Sequence, residues 1–345
     1  MNEQIIPRHA HIRTDHIRDE ALLGTLSVMI DAGIAPTFAN LSRLPAILAG
    51  EAALPAEGEI FPDIPAEEKI PELYPPSCGG PQGWLSGIAC DLSLFPGGEG
   101  AAFAGCAIRA DGDRLEICTR PADTRLSGPY TAACAAFVRG AAELCAAGAG
   151  RQELCRLSVP FTAAGLSALC AAVDACTDFG CRLEVCEGEA ALRLTAKALR
   201  PLSGNFSCAG NPVYFLAAPC HSDTLPDFCG TQASHAHFRT LAAAGSIAAA
   251  RAVGAAGPAE AILSLCGEFG FRADPSLDVF AYLLLNFGGI VLEGKGDIPG
   301  ALRIGTVSAE GSFLFPDGRG AKISDLAAYR MAARRAKENL AADKK

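Results

Sequence analysis

The chain has 345 residues, half of them hydrophobic, and its 29 Lys and Arg against 38 Asp and Glu leave a net charge of −9. A chain of this length forms about two domains and buries a sizeable core. The negative charge repels phosphate backbones and anionic lipids, so we expect no nucleic acid among its partners and no binding to membrane surfaces.

The apolar segments are rich in Ala and are interrupted before they reach the roughly 18 residues that a membrane span requires. Residues 1–20 are charged and lack the apolar run of a secretory signal, so we expect a cytoplasmic protein. The 15 cysteines are odd in number, lie mostly in apolar surroundings and include no C-x-x-C pair. We interpret them as reduced, buried residues.

Residues 1–75 form a compositional zone of their own. Apolar stretches at 21–32 and 41–49 predict short helices, and the acidic, Pro-rich sequence after them predicts an extended arm. From Trp84 the pattern changes to the short runs WLSGIACDLSLF, AAFAGCAIRA and DRLEICTR, which are separated by turn-forming residues. These runs predict three antiparallel strands.

Helices and strands alternate from there to about residue 206. A long Ala-rich helix opens at Gly128-Pro129-Tyr130, and Gly148 and Gly150 mark its end. The elements predicted to follow are a strand at 153–159, a helix at 163–180, and strands at 181–187 and 189–199. We therefore expect an α+β domain over residues 76–206.

A second α+β domain is predicted over residues 207–345, because Gly, Ser and Asn cluster in LSGNFSCAGN and a new buried strand begins directly afterwards. Its predicted helices lie at 234–244, 258–269 and 323–340. Its predicted strands lie at 212–217, 246–253, 288–294, 301–307 and 312–315.

Five potential metal ligands fall within eighteen residues: Cys220, His221, Cys229, His235 and His237. Their spacing matches no standard zinc motif, and on the predicted helix His235 and His237 would point to different sides. We therefore assign no metal ligand and keep zinc binding as the least favoured hypothesis.

Phosphate binding requires backbone N–H groups at a helix N-terminus, which Gly-rich turns supply. Neither Walker nor Rossmann spacing occurs in the chain. The two candidate turns are 127–130, before the first long helix, and 254–257, before the helix that starts at Pro258, although an ordinary loop explains either equally well.

The second domain carries a family resemblance. The succession NPVYFLAAP, LPDF, GSIAAARAVGAAGPAEAILSLCGEFGF, FGGIVLEG, ALRIGTVS and ISDLAAY resembles the last part of the synthetase region of large phosphoribosylformylglycinamidine synthases. The first domain is looser, with SGPYTAACAAFVRGAAELCAAGAGRQELCRLSVPF as its matching stretch. The resemblance covers residues 76–333, one of the family's two synthetase halves, and includes no glutaminase.

The resemblance implies a two-domain fold like that of aminoimidazole ribonucleotide synthetase. It implies pairing through the first domain, as a homodimer or with another synthetase subunit. It also implies ATP-dependent conversion of formylglycinamide ribonucleotide to the amidine in purine biosynthesis, with ATP and Mg²⁺ as cofactors if the protein is active. The residues it places in the nucleotide or substrate cleft are Gly128, Tyr130, Gly257 and Glu260.

The sequence departs from the family at two motifs. Where the family has a Gly-Gly-Lys-Asp-Ser stretch, this chain has CRLEVCE at 181–187, and where the family has consecutive glycines it has Ala255, Ala256, Gly257 and Pro258. Two hypotheses follow: a partial or degenerate synthase relative, or a non-catalytic scaffold for nucleotide binding or subunit pairing. A catalytic chain should show a cleft with clustered carboxylates, and a scaffold should show apolar or Ala-lined walls.

Overall fold

The computed structural model describes residues 108–119, 129–159, 163–187, 191–220, 225–254, 257–282 and 286–325. The predicted arm, the first predicted strand and most of the closing helix lie outside the described residues. Among the described helices, none is long and apolar enough to cross a membrane.

The chain divides into two compact units. The described residues of the first unit lie within Thr119–Phe137 and Gln152–Thr195, and those of the second lie within Glu72–Cys118, Val138–Arg151 and Ala196–Lys345. The predicted boundary between residues 206 and 207 stays a prediction.

The first sheet has five described strands in the order β1-β2-β5-β3-β4. Strands β1 and β2 form an antiparallel hairpin, as the sequence predicts, and β3 pairs with β4 in parallel. A parallel pair requires a crossover, and the second helix of the chain supplies it. The strands are β1 (Ile108–Asp111), β2 (Arg114–Thr119), β3 (Ala149–Val159), β4 (Arg182–Glu187) and β5 (Ala191–Ala198).

Two Ala-rich helices accompany this sheet: α1 (Pro129–Ala146) and α2 (Ala163–Phe179). Helix α1 is buried along its length, since every residue from Tyr130 to Ala146 is buried. Gly148 and Gly180 follow the two helices with positive φ of 89° and 64°, a conformation that glycine adopts without strain. The glycines therefore end the helices as predicted.

The second sheet has seven described strands in the order β12-β11-β8-β10-β6-β9-β7. Neighbouring strands of this sheet pair antiparallel, except that β11 and β8 pair in parallel. Its strands are β6 (Pro212–Leu216), β7 (Ile247–Ala252), β8 (Gly270–Ala273), β9 (Ile290–Gly294), β10 (Leu302–Ser308), β11 (Ser312–Leu314) and β12 (Gly320–Lys322). Its helices are α3 (Phe228–Ala243), α4 (Pro258–Leu265) and a 3₁₀ turn (Val279–Tyr282).

An aromatic cluster fills one core of the second unit. Phe271, Tyr282, Phe313 and Phe315 are buried, and their ring centroids lie 5.1–6.2 Å apart. The hydroxyl of Tyr282 donates to the carbonyl of Ile304 at 2.6 Å, so burying this polar group leaves no unmade hydrogen bond. Burial raises the pKa of Tyr282.

A buried carboxylate holds a loop against strand β9 of this sheet. Glu293 on β9 is fully buried and accepts hydrogen bonds from the backbone N–H and hydroxyl of Ser207 at 2.7 and 2.9 Å. It also accepts from the N–H of Cys208 at 3.1 Å and from the side-chain amide of Asn211 at 2.6 Å. Four donors compensate the cost of burying this carboxylate.

Several elements of the second unit differ from the sequence prediction. Helix α3 begins at Phe228 rather than 234, because Asp227 accepts a hydrogen bond from the N–H of Gly230 and caps it. Helix α4 ends at Leu265 rather than 269, because Cys266 is extended. Strands β8 and β12 were not predicted.

Candidate functional site

Two buried charged residues stand out on helix α1. Arg139 and Glu143 are the charged residues of this Ala-rich helix, and both are buried. They lie four residues apart, so they lie on the same helix face. Both belong to the second compact unit.

Helix α4 of the same unit contributes a third charge. Gly257, with a φ of 72°, precedes Pro258 at the first helical position, and Glu260 in the first turn is buried. Arg139 forms an ion pair with Glu260, with 3.9 Å between Nη2 and Oε1. The ion pair keeps the buried Glu260 from being an uncompensated charge.

The start of α4 does not fit a bound phosphate. The N–H of Gly257 donates to the carbonyl of Gly254 at 3.2 Å, the N–H of Glu260 donates to the carbonyl of Gly257 at 3.1 Å, and Pro258 has no N–H. The carboxylate of Glu260 lies against Gly254 so closely that a Cβ there would overlap it. The chain's own negative charge therefore lies where an anion would approach the helix terminus.

Glu143 is an acid with an altered pKa. Burial raises its pKa from 4.5 to about 7, the neighbouring guanidinium groups of Arg251 and Arg139 lower it, and Glu260 raises it further. Burial therefore outweighs the two guanidinium groups and raises the pKa of this carboxyl toward neutrality.

A cavity of about 290 Å³ lies beside these charges in the second unit. Among its described lining residues, Glu143 and Arg251 are the two that carry charge, and the others are Ala, Gly, Leu, Ile or Pro. The Nε of Arg251 donates to the carbonyl of Gly204 at 3.3 Å, which holds the guanidinium at the cavity wall. A mainly apolar cavity with a few polar groups is typical of a small-molecule site.

The residues predicted for the cleft are distributed over the two units. Gly128 lies outside the described residues. Tyr130 belongs to the first unit, is buried, and donates from its hydroxyl to Asp174 at 2.6 Å, which ties α1 to α2. Gly257 and Glu260 lie together at the start of α4 in the second unit. The assignment of these four residues to a cleft stays a prediction.

The potential zinc ligands do not converge where the structure describes them. Ring nitrogen Nε2 of the buried His235 bonds the carbonyl of Gly288, and Nε2 of His237 bonds the carbonyl of Pro299, each at 2.8 Å. Cys220 and Cys229 are exposed thiols, and His221 lies outside the described residues. No group of three metal-binding side chains forms within the described part of the chain.

The cysteines are only partly buried, in contrast to the sequence interpretation. Six of the twelve described cysteines are buried, and Cys186, Cys208, Cys220 and Cys229 are exposed. None of these twelve forms a disulfide. Burial raises the pKa of Cys176 well above its usual range, so this thiol is inert as a nucleophile.

Sequence reasoning missed Arg139, Glu143 and Arg251. The available signal was their isolation, since each is a charged residue in a segment of Ala and other small apolar residues. Such a residue in a buried segment requires a partner or a function.

No protein-family model matches the chain, and no curated protein matches it. Among solved structures, phosphoribosylformylglycinamidine synthase II from Thermotoga maritima is 12% identical, with a TM-score of 0.51 over 65% of this chain and 46% of the other. PurL from T. maritima complexed with ADP is 15% identical, with a TM-score of 0.51 over 68% of this chain and 47% of the other. PurLQS from T. maritima is 14% identical, with a TM-score of 0.51 over 65% and 46%.

The chain thus spans about half the length of the solved structures it matches. The mixed sheets with their helices confirm the predicted α+β class. At this identity the likeness concerns the fold alone. The described residues therefore have a fold like that of phosphoribosylformylglycinamidine synthase II.

Proposed function

We propose that this chain is a phosphoribosylformylglycinamidine synthase-related protein of purine biosynthesis that serves as a non-catalytic, subunit-pairing scaffold in the cytoplasm. The observation that supports this proposal is the buried carboxylate of Glu260 at the start of α4, in an ion pair with Arg139. It favours the scaffold over a degenerate but active synthase.

The chemistry of the synthase explains why this observation matters. Phosphoryl transfer depends on cations and N–H donors that neutralise charge on the transferred group. At the start of α4 a carboxylate repels such a group, and Arg139, which could neutralise it, is engaged by Glu260. We therefore propose neither ATP nor Mg²⁺ as a ligand at this helix terminus.

The apolar cavity wall supports the same proposal. A catalytic cleft that holds Mg²⁺ requires several carboxylate oxygens, and the described lining residues supply one carboxylate, that of Glu143. The remaining lining is mostly Ala, Gly and Leu, the kind of wall that the scaffold hypothesis predicts.

Subunit pairing is the second part of the proposal. One of the similar structures is PurLQS, and the family resemblance implies that first domains pair through their strands. We propose a homodimer, or pairing with a separate synthetase subunit.

A turnover assay tests the catalytic part. Purified chain is incubated with formylglycinamide ribonucleotide, ATP, Mg²⁺ and ammonia, and both ADP and the amidine are measured. We expect neither product above the level of a no-protein control. Formation of the amidine with one ADP for each amidine would overturn the scaffold proposal in favour of the active synthase.

Sedimentation equilibrium tests the pairing part. A homodimer has twice the chain mass of 35.5 kDa. We expect that species at micromolar protein concentration. A monomer throughout this range, for a chain that is folded by circular dichroism, would contradict self-pairing.

A further inference from the structure

The cavity of the second unit has a wall whose two charges and several backbone donors are already engaged with other groups of the chain. We propose that this cavity binds an uncharged, apolar molecule of the size of a bicyclic aromatic ring. This inference does not depend on the proposed function, because it involves neither nucleotide nor pairing.

The two charges of the cavity wall compensate each other. Arg251 is the cation that lowers the pKa of Glu143 most, and its Nε also donates to the carbonyl of Gly204 at 3.3 Å. A charged ligand would lose its hydration on entering the cavity, and a pair that is neutral as a whole would return little of that cost. The charges of the wall therefore favour a ligand that carries no charge.

Backbone donors of the wall are engaged as well. Five of the wall residues donate their N–H groups to backbone carbonyls at 2.7–3.1 Å: Ala147, Gly148, Ala198, Leu199 and Ala250. A ligand that relied on these groups would have to replace existing hydrogen bonds, and such an exchange contributes little net free energy. The wall therefore recognises its ligand mainly through apolar contact.

Leucine side chains supply the apolar contact. Leu199 lines the cavity and is 62% exposed, so the cavity opens to solvent beside it. Leu115 and Leu202 line the same cavity. An apolar ligand packed against these leucines would remove apolar surface from water on both sides of the contact.

The volume of the cavity sets the size of the ligand. The cavity holds about 290 Å³. An apolar protein cavity of about 150 Å³ takes one benzene ring. Because the volume here is nearly twice as large, it accommodates two fused rings.

Equilibrium dialysis with indole as the probe tests this proposal at about pH 8, where Glu143 is largely ionised and compensates Arg251. Two bicyclic comparison probes of similar size carry a charge: indole-2-carboxylate is an anion and 1-methylquinolinium is a cation. We expect one saturable indole site in each chain. Its affinity for indole should be at least about tenfold higher than for either charged probe, because each of these loses hydration in the cavity.

Two pairs of variants locate the binding. Ala147→Leu fills part of the cavity and should weaken indole binding at least about tenfold, whereas Ala236→Leu, at an exposed position of α3 outside the wall, should leave it unchanged. Leu199→Ser should weaken binding severalfold, because it removes apolar contact at the opening. Its control, Leu302→Ser, changes a leucine that is 51% exposed and outside the wall, and should have no effect.

Absence of saturable indole binding up to about 5 mM would overturn the proposal. So would a charged probe that binds as tightly as indole. Indole binding that Leu199→Ser leaves intact, or that Ala147→Leu leaves intact in a variant folded by circular dichroism, would also overturn it. None of these outcomes bears on the turnover assay, so failure of the ligand proposal and failure of the scaffold proposal are distinguishable.

Discussion

Glu143 makes the stability of the protein depend on pH. Its pKa is about 7 in the folded state and 4.5 as a free side chain, so between these values the folded state binds a proton that the unfolded state has released. Stability from this residue is therefore fully present below about pH 4.5 and is lost as pH rises through 7. Arg251, Arg139 and Glu260 are the charged groups that act on it.

Glu143→Gln removes this titration. The free energy of unfolding of the variant, relative to the unaltered chain, should rise by about 3 kcal/mol between about pH 4 and pH 8. Urea denaturation at a series of pH values measures it. A difference that does not change with pH would show that Glu143 titrates normally.

The stability that His235 contributes changes with pH in the opposite direction to that of Glu143. Burial lowers its pKa from 6.5 to about 4, so the unfolded state binds a proton that the folded state does not. Its stability contribution is present above about pH 6.5 and is lost as pH falls through 4. His235→Gln keeps a donor for the carbonyl of Gly288 and does not titrate.

Urea denaturation of the His235→Gln variant tests the direction of this pH dependence. Relative to the unaltered chain, its free energy of unfolding should rise by up to about 3 kcal/mol as pH falls from about 7.5 to 3.5. Titration of the His235 ring followed by NMR gives an independent value for its pKa in the folded protein. A midpoint near 6.5 in the folded protein would contradict the account.

At the scale of elements, Glu293 fastens the loop 207–211 to strand β9. Glu293→Ala leaves the Ser207, Cys208 and Asn211 donors without their acceptor. We expect a loss of about 3 kcal/mol or more in the free energy of unfolding, with faster hydrogen exchange at the N–H groups of 207 and 208.

Glu310→Ala is the matched control for Glu293→Ala. Its carboxylate is 69% exposed and lies 3.6 Å from Arg272, and such surface pairs contribute about 1 kcal/mol at most. If the two variants lose similar stability, the loop is not held by Glu293.

Elements with strong local signals were predictable from sequence. Gly148 and Gly180 end helices because glycine adopts positive φ without cost, and the hairpin of β1 and β2 follows from its Gly112-Asp113 turn. Strand β8 was not predictable, because the four residues GFRA form a strand only by pairing with β10 and β11. The early start of α3 was recoverable, since Asp227 is a good N-cap.

The candidate site was only partly predictable from the sequence, because it depends on contacts between residues far apart in the chain. Glu260 and Gly257 were singled out through the family resemblance, and the spacing of Arg139 and Glu143 places them on one face of α1. The ion pair between Arg139 and Glu260 joins residues more than a hundred positions apart, a contact that no local pattern encodes. The cavity beside them depends on the same long-range packing.

At the scale of the whole molecule, the pH-dependent contributions of Glu143 and His235 to stability offset each other. Between about pH 4.5 and 6.5 the loss from Glu143 and the gain from His235 are of similar size and opposite sign. We expect the unaltered chain to show a flatter stability profile over this range than either variant. Urea midpoints of all three proteins measured in parallel check this, and a steep profile in the unaltered chain would contradict it.

A fold like that of phosphoribosylformylglycinamidine synthase II, with a carboxylate at the start of α4, is the central feature of the molecule. A thermal-shift titration with ATP and ADP, each with and without Mg²⁺, tests its consequence most directly, because a ligand at 100 times its dissociation constant stabilises a protein by about 2.7 kcal/mol. The account predicts no magnesium-dependent rise in Tm at millimolar nucleotide. A rise of several degrees that requires both ATP and Mg²⁺ would contradict it and would restore the active synthase.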